Sequence, residues 1–267
     1  ESLNRDRGQM ERKVFNNYRR EGLKDVRYTG AKKGDIFSSI YFNGKLEGCH
    51  DHPGVSVEFR LYNNVKRIEI CYSLTRKPET DPSGIYVSFP VDVENGKLKF
   101  DVPGGLVEAG VTQIPRTSTP WNTVQNFVSA QNEDSQVVIS SDAIPLFMMG
   151  ELMNDPYRLV HKHEKTHMFS WIMNNYWTTN FRASQEGELK WNYVLTSLKG
   201  NDCSDATMFG WENRIPLYAR VMPASRTANE APREKSWLKV EESNMLVTSV
   251  TPSVREPKAV LVNVRET

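Results

Sequence analysis

Apolar and polar residues alternate with a period of two along most of this chain. In "VSVEFRL" (55–61) every second residue is apolar, and the residues between are Ser, Glu and Arg. "RIEICYSL" (67–74) repeats the alternation, and "YNNVK" between the two stretches is typical of a hairpin connection. This pattern predicts half-buried β-strands with one face toward a core.

Further stretches of the same kind follow. "GIYVSFPV" (84–91) and "GKLKFDV" (96–102) are joined by "DVENG", whose Asn95-Gly96 tolerates positive φ in a turn. The same reasoning predicts strands over residues 135–141, 144–149, 167–173, 187–198, 216–222, 237–241, 244–250 and 257–265. Polar loops are predicted over residues 75–84, 112–122 and 223–236. About a dozen strands without recurring helices predict an all-β fold of antiparallel sheets stacked as a sandwich.

The first residues follow a different period. Residues 3–21 are rich in charge, and a helix would place their apolar residues on one stripe, formed by Leu3, Met10, Val14 and Tyr18. We therefore predict a short N-terminal helical extension over residues 1–24, followed by a β-sandwich domain over residues 25–267. The chain lacks an initiating Met and ends in a strand-like stretch, so we expect it to be part of a longer enzyme.

Composition and charge exclude several classes of partner. The 267 residues are 38% hydrophobic, and 34 basic and 33 acidic side chains give a net charge of +1. The two signs are interleaved, so no basic surface is predicted for nucleic acid or an anionic membrane. No apolar run approaches the roughly 18 residues needed to cross a bilayer. We expect neither nucleic acid nor a membrane as a partner.

The segment His163-Glu164-Lys165-Thr166-His167 has the letters of the zinc-protease pattern H-E-x-x-H. That chemistry requires a helix, because only there do residues four apart grip one zinc ion. The segment instead runs into the aromatic- and Thr-rich "MFSWIMNNYWTTNF", which favours a strand. On a strand His163 and His167 would lie about 13 Å apart, too far to share a metal. We predict no metal site here and interpret His161, His163 and His167 as structural or surface residues, with a ligand contact or a metalloprotease as alternatives.

The stretch after this predicted strand combines amides with aromatic rings. "MNNYWTTNFRASQEG" presents Asn, Tyr, Trp and Gln side chains close together in sequence. Such groups hydrogen-bond sugar hydroxyls and cover the apolar faces of sugar rings. An aromatic loop that plugs one end of a sandwich, with Asn side chains capping turns, explains the same residues equally well.

"MNNYWTTNFRASQEGELKWNYVLTS" (173–197) also resembles the C-terminal β-domain of glycoside hydrolase family 38 α-mannosidases, in which Asn-Asn-Tyr-Trp-x-Thr-Asn-Phe precedes Gln and Gly. Three more pieces resemble that domain in the same order. They are "GIYVSFPVDVENGKLKFDVPGGLVEAG", read as a strand pair leading to a turn at Asp101 to Gly105, "WNTVQNFVSAQNEDSQVVISSDAIPLFMMGEL", and "SWLKVEESNMLVTSV" with "AVLVNVRET". The resemblance covers residues 55 to 200 well and the first 50 residues weakly.

This resemblance implies a galactose-mutarotase-like super-sandwich inside a larger enzyme. In that family the zinc ion, its His and Asp ligands and the Asp nucleophile belong to an N-terminal α/β catalytic domain of the same polypeptide. We therefore expect no cofactor in this chain, and zinc in that other domain. Retaining hydrolysis needs two carboxyl groups about 5 Å apart, and the sequence singles out no such pair, so no catalytic residue is assigned.

The resemblance further implies a supporting role, because loops of the β-domain help to wall the active-site cleft. The candidates for contact with mannose-containing glycans are Asn174, Asn175, Tyr176, Trp177, Asn180, Arg182 and Trp121. Two alternatives remain open. One is a stand-alone carbohydrate-binding module. The other is a mutarotase-type epimerase that uses His163 or His167 with Glu186 as its acid and base.

Overall fold

The structure is a computed structural model that describes residues 19–115, 117, 121–152, 163–175, 182–221 and 234–267. These residues form fifteen strands and one helix, α1 (Cys203–Arg214). The strands are β1 (Lys24–Lys32), β2 (Phe37–Lys45), β3 (Val55–Tyr62), β4 (Ile68–Arg76), β5 (Gly84–Phe89), β6 (Lys97–Val102), β7 (Gly105–Glu108), β8 (Trp121–Thr123), β9 (Val128–Gln131), β10 (Ser135–Ser140), β11 (Leu146–Met149), β12 (Met168–Asn174), β13 (Gly187–Lys199), β14 (Met245–Pro252) and β15 (Val260–Glu266).

The strands form two stacked sheets and a separate hairpin. The large sheet has nine strands in the order β1-β2-β3-β4-β13-β10-β9-β6-β7. The small sheet has four, in the order β5-β12-β11-β8, and β14 pairs with β15 alone. Neighbouring strands are antiparallel throughout. The prediction of an all-β sandwich of antiparallel sheets is confirmed.

The core fills the space between the two sheets. Alternate residues of the large sheet, among them Val57, Ile70 and Phe100, meet alternate residues of the small sheet, among them Val87 and Phe147. Each strand therefore turns one face inward, as the period of two predicts. Apolar area removed from water in this way is the main stabilising contribution to such a sandwich.

A buried tyrosine connects the two sheets. Tyr193 on β13 is fully buried, and its hydroxyl donates a hydrogen bond of 2.7 Å to Oγ of Ser170 on β12. Its ring also meets the ring of Phe89 on β5 edge to face, with 4.9 Å between the centroids. Burial raises the pKa of the Tyr193 phenol, so the group stays a neutral donor.

Helix α1 covers part of the outer face of the large sheet. Its first turn is capped by Asp202, whose carboxylate accepts a hydrogen bond of 2.9 Å from the backbone N–H of Ser204. The sequence patterns did not predict this helix, because the buried face consists of small residues rather than Leu or Ile: Cys203, Ala206, Thr207 and Gly210. Within the described ranges, no helix is long and apolar enough to cross a membrane.

A buried carboxylate joins β6 to the connection between β8 and β9. Asp101 is inaccessible to water and accepts hydrogen bonds from the backbone N–H groups of Asn126 (2.6 Å) and Phe127 (3.0 Å). The side-chain amide of Asn126 donates a third bond of 2.8 Å. Burial raises the pKa of Asp101, and these hydrogen bonds oppose that shift. Beyond it, Gly104 takes a φ of 89° in the β6–β7 hairpin.

Several predicted elements need correction. The stretches 84–91 and 96–102 are strands, but β5 and β6 lie in different sheets and do not pair. Asn95 between them has a φ of 51°, as the turn requires. Residues 216–221 and 237–241 form no strand, and no strand of the described residues pairs with them. The alternation in those two stretches was therefore misleading.

The start of the chain shows further differences from the prediction. Most of the predicted N-terminal helix lies outside the described residues, and residues 19–23 form no regular structure. The sequence patterns did not predict β1, β2 or the short strands β7, β8 and β9. The helical extension predicted over residues 1–24 overlaps β1 by one residue, Lys24.

Candidate functional site

A buried asparagine fixes the point where the Asn-Asn-Tyr-Trp segment leaves the small sheet. Asn175 follows β12 directly and is 5% exposed. Its Nδ2 donates to the carbonyl oxygens of Glu79 (3.0 Å), Asp81 (2.9 Å) and Ala183 (3.3 Å). Its Oδ1 accepts from the backbone N–H of Ser83 (2.7 Å) and from the Ser83 hydroxyl (3.0 Å). The amide of Asn175 is thus fully engaged in holding chain segments together.

The segment that Asn175 holds is the β4–β5 connection. Arg76, at the end of β4, is 4% exposed, and its Nη2 donates a bond of 2.6 Å to Oγ of Ser83. Ser83 therefore receives a hydrogen bond from Arg76 and donates to Asn175. In addition, the backbone N–H of Glu79 donates to Oγ of Ser184 (3.0 Å). These bonds join the β4–β5 connection to both ends of the predicted glycan-binding segment.

Two other candidates flank this junction. Asn174 is the last residue of β12 and pairs with Gly84 of β5, so its backbone belongs to the small sheet. Arg182 has a side chain 83% exposed, and its Nη2 lies 3.4 Å from Oε1 of Glu186. Hydrogen bonds from its own backbone N–H and from the Ser184 hydroxyl hold the pKa of Glu186 below its ordinary value. Glu186 thus carries a negative charge at neutral pH beside the exposed guanidinium of Arg182.

Tyr176, Trp177 and Asn180 lie outside the described residues, as does His161. Their predicted contact with sugars stays a prediction. The structure does place both ends of that segment, since the backbone N–H of Asn175 donates to the Ser83 carbonyl (3.1 Å) and its amide holds Ala183.

Three aromatic side chains stack on the outer face of the small sheet, and we call them the aromatic cluster: Tyr86, Trp121 and Trp171. The ring centroids of Trp121 and Trp171 are 3.7 Å apart, and those of Tyr86 and Trp171 are 5.9 Å apart. The sequence singled out only Trp121. Tyr86 and Trp171 could have been found from the alternation in β5 and β12, where each is an aromatic residue at a position facing away from the core.

The histidine segment is not a helix. Residues 163–167 form a bend, and β12 begins at Met168, so the predicted strand does not extend back to His163. The Thr166 hydroxyl is hydrogen-bonded to the backbone of the β5–β6 connection. The imidazole of His163 lies against Gly150, where an added Cβ would stand 2.8 Å from Nδ1. Across the described segments, no three His, Cys, Asp or Glu side chains are grouped as a metal site.

A charged network lies on the outer face of the large sheet. Arg60 donates to Oε2 of Glu58 (2.8 Å) and to Oε2 of Glu69 (3.3 Å). Hydroxyl groups of Ser39 (2.7 Å to Glu58) and Tyr62 (3.1 Å to Glu69) also donate to these carboxylates. The bond from Arg60 lowers the pKa of Glu58, and Glu58 in turn raises that of Arg60. The carboxylates are thus committed to a structural ion network.

The thiol next to this network is poorly reactive. Burial, and then the charge of Glu69, raise the pKa of Cys71 to about 11. The pKa of the buried thiol of Cys49 is also raised, chiefly by burial. Both cysteines are therefore protonated at neutral pH and are weak nucleophiles.

Comparison with known proteins gives a fold but no family. No protein-family model matches this sequence, and no curated protein is similar to it. A glycosyl hydrolase family 38 protein from Enterococcus faecalis superposes with a TM-score of 0.54 at 11% identity, over 85% of this chain and 28% of that one. An α-mannosidase from Enterococcus faecalis V583 gives 0.50 at 11% identity, over 72% and 24%. A putative aldose 1-epimerase from Escherichia coli K12 gives only 0.37 at 9% identity, over 65% and 68%.

The chain thus spans about a quarter of the length of the two hydrolase structures. At 11% identity, the similarity shows that this chain shares the β-fold of one part of those proteins.

The amide of Asn175 is expected to be essential for the order of this region. In Asn175→Asp, an oxygen replaces the donor that faces three carbonyl groups, so we expect a loss of about 2 kcal/mol or more in the free energy of unfolding. Amide hydrogens of residues 79–83 should also exchange faster. Urea denaturation and hydrogen–deuterium exchange measure both effects. Asn64→Asp, in an exposed turn, is the matched control. Equal stability of the two variants would contradict this role.

The Arg60 network predicts a pH-dependent contribution to stability. The folded-state pKa of Glu58 lies below its ordinary value of 4.5, so its contribution is present above about pH 4.5 and is lost as pH falls through the folded value. Glu58→Gln should therefore lower the free energy of unfolding by about 1 kcal/mol at pH 7 and by less at pH 3, because the pair retains some contact with water. Urea denaturation across this range tests it, with Glu133→Gln as the exposed control. A difference that does not vary with pH would refute it.

Proposed function

We propose that this chain is the C-terminal β-sandwich portion of a glycoside hydrolase family 38-like α-mannosidase. In this role it supports the active-site cleft and contributes contacts to mannose-containing glycans. The catalytic nucleophile and the zinc ion belong to an N-terminal α/β domain of the same polypeptide. The described carboxylates and histidines of this chain form no metal site, so we assign it no step that uses zinc.

Two independent similarities support the proposal. The sequence carries four stretches that resemble the β-domain of that family in the same order, and the Asn-Asn-Tyr-Trp segment is the most distinctive of them. The fold matches part of two hydrolase structures over most of this chain. Neither similarity by itself identifies an activity, since one fold supports many functions.

The observation that carries the proposal is the junction at Asn175. A loop that walls a cleft has to be held in place, because small displacements of positioning groups strongly reduce catalytic rates. Asn175 uses its whole amide to fix the two ends of residues 176–182 against the β4–β5 connection. We therefore assign Asn175 to supporting the loop, and sugar contact to its neighbours.

Each neighbouring side chain has a distinct proposed task. The amides of Asn174 and Asn180 hydrogen-bond sugar hydroxyls, and the rings of Tyr176 and Trp177 cover an apolar sugar face. Arg182, beside Glu186, donates to a hydroxyl at the rim of the cleft. Trp121 contributes through the aromatic cluster. These groups bind, orient and exclude water, and none of them transfers a proton.

Hydrolysis of 4-nitrophenyl α-D-mannoside tests the main proposal. This chain alone should give no turnover, and the complete encoded polypeptide should be active. In that polypeptide, Trp177→Ala and Asn174→Ala should each lower kcat/KM by about tenfold or more, because they remove positioning contacts. Trp237→Ala, at a side chain 86% exposed, is the control and should leave activity unchanged.

Two results would contradict the proposal. One is turnover of the mannoside by this chain alone. The other is an encoded polypeptide that has no upstream α/β domain with His and Asp zinc ligands. Equal activities of Trp177→Ala and Trp237→Ala would contradict the proposed sugar contact of the loop. They would not contradict the proposal that this chain is the β-sandwich portion of such an enzyme.

A stand-alone carbohydrate-binding module is the second candidate, and the aromatic cluster favours it. Its three aromatic side chains lie together on the outer face of the small sheet, where their apolar surface is available to the apolar face of a sugar ring. In that case this chain should bind mannose oligosaccharides by itself, with a dissociation constant below about 1 mM, and Trp121→Ala should weaken binding. Isothermal titration calorimetry measures both. No binding at millimolar sugar would dismiss the module and would leave the main proposal untouched.

A further inference from the structure

The chain contains the tetrapeptide Asn-Gly-Lys-Leu twice, at residues 43–46 and 95–98. An Asn-Gly pair is chemically labile, because glycine has no side chain to keep its backbone nitrogen away from the carboxamide of the asparagine. The first pair lies within β2, and the second directly precedes β6. From the asparagine to the leucine the two copies are identical, so the fold is the main source of any difference in their reactivity.

The turn before β6 requires a pair of this kind. Asn95 has a φ of 51°, a conformation that Asn and Gly tolerate better than other residues. A Cβ at Gly96 would lie 2.7 Å from Cγ2 of Thr166 and 2.7 Å from the carbonyl oxygen of Val93. Residue 96 therefore has to be glycine, and the labile pair is a consequence of how the turn packs.

The reacting groups of the second pair are accessible. Asn95 is exposed, and no group of the described segments is hydrogen-bonded to its carboxamide. The backbone N–H of Gly96 donates one bond of 2.9 Å, to the Val93 carbonyl in the same turn. Local opening of an exposed turn costs little free energy, and here it breaks only this bond. The nitrogen of Gly96 is thus readily freed beside the Asn95 side chain.

The first pair is held on both sides. Asn43 pairs with Arg27 of β1 and with Ser56 of β3, so its backbone lies inside the large sheet. Its Nδ2 donates a bond of 3.3 Å to the Pro53 carbonyl, and Gly44 is buried. Reaction at this pair needs β2 to separate from a neighbouring strand, which costs more free energy than the opening of a turn.

We propose that Asn95 is a site of spontaneous deamidation and that the sheet protects Asn43 from the same reaction. The backbone nitrogen of Gly96 loses its proton and attacks Cγ of Asn95, and ammonia leaves as a five-membered succinimide ring closes. Water then opens the ring at either carbonyl, which gives aspartate or isoaspartate at position 95. One water is consumed and one ammonia is released, without oxidation or reduction. The modification is independent of any role in sugar binding.

Isoaspartate loosens the connection between the two sheets. Its backbone is one methylene longer between residues 95 and 96, where Thr166 and Val93 leave no space. Thr166 is 3% exposed, and its hydroxyl accepts a bond from the backbone N–H of Val93 (2.8 Å) and donates one to the Val91 carbonyl (2.9 Å). A displaced Gly96 presses on this side chain, so both bonds weaken in the isoaspartate form.

The test ages the full chain, folded and in urea, in water enriched in oxygen-18. Ring opening incorporates the heavy oxygen, so mass spectrometry of proteolytic peptides counts only the deamidation that occurs during incubation. In the folded chain, we expect conversion at Asn95 to be about tenfold or more faster than at Asn43, because each 1.4 kcal/mol or so of additional opening free energy slows a reaction tenfold. In urea the two rates should become similar, because the tetrapeptides are identical.

A variant separates the modification from the turn itself. Asn95→Gly keeps the positive φ and has no carboxamide. Before ageing, the Val93 amide should exchange with deuterium alike in this variant and in the original chain. After ageing, it should exchange about tenfold faster in the isoaspartate form of the original chain, because its bond to Thr166 is weakened, and remain unchanged in Asn95→Gly.

Three results would overturn these expectations. Equal conversion at Asn43 and Asn95 in the folded chain would show that the sheet gives no protection. An Asn95 that stays intact in the folded chain but is converted in urea would remove it as a site of modification. Unchanged exchange of the Val93 amide in the isoaspartate form would refute the effect on Thr166.

Discussion

The hydrogen bond between Tyr193 and Ser170 is the constraint on which the arrangement of the sandwich depends. It joins the centre of the large sheet to the centre of the small sheet at 2.7 Å, between two residues that are fully buried. A buried polar group that loses its partner there costs free energy, so any other alignment of the two sheets is penalised. The ring of Phe89 packs against the same tyrosine and ties β5 to the same point.

The position of the candidate site follows from that alignment. Ser170 and Asn175 lie on one short stretch of chain, so fixing β12 against β13 also fixes where β12 ends. Asn175 then holds the β4–β5 connection, and Arg76 and Ser83 extend the hydrogen bonds to the end of β4. Asn175 and Ala183, on either side of residues 176–182, are therefore joined by a hydrogen bond, as the proposed positioning role requires.

Sequence patterns predicted the long strands well because burial on one face imposes a period of two. β3, β4 and β13 are strands where the alternation placed them. The pairing of strands could not be predicted from this pattern, because nothing in the local sequence shows that β5 and β6 belong to different sheets. The stretch at 216–221 pairs with no strand in the described part of the chain, so the prediction of a strand there was wrong.

The candidate site shows the same division between local and long-range information. The sequence predicted a polar, aromatic loop from the amides and rings of residues 174–182, and the structure places Asn174 at the end of β12. The sequence did not reveal that the side-chain amide of Asn175 donates its hydrogen bonds to backbone carbonyl groups. Two of these three carbonyl groups, those of Glu79 and Asp81, are more than ninety positions away in the sequence. The stacking of Tyr86 on Trp171 likewise depends on strand pairing that only the fold provides.

Four carboxylates of the described segments are bound to neighbouring groups of this chain. Glu58 and Glu69 accept hydrogen bonds from Arg60, and Asp101 accepts hydrogen bonds from backbone N–H groups. Glu186 accepts a hydrogen bond from the Ser184 hydroxyl and pairs with Arg182. A general acid or base has to exchange its proton with a substrate, whereas a carboxylate held in such bonds stabilises its own surroundings. Under the proposed function, side chains at the rim would orient a ligand, and another domain would carry out the chemistry.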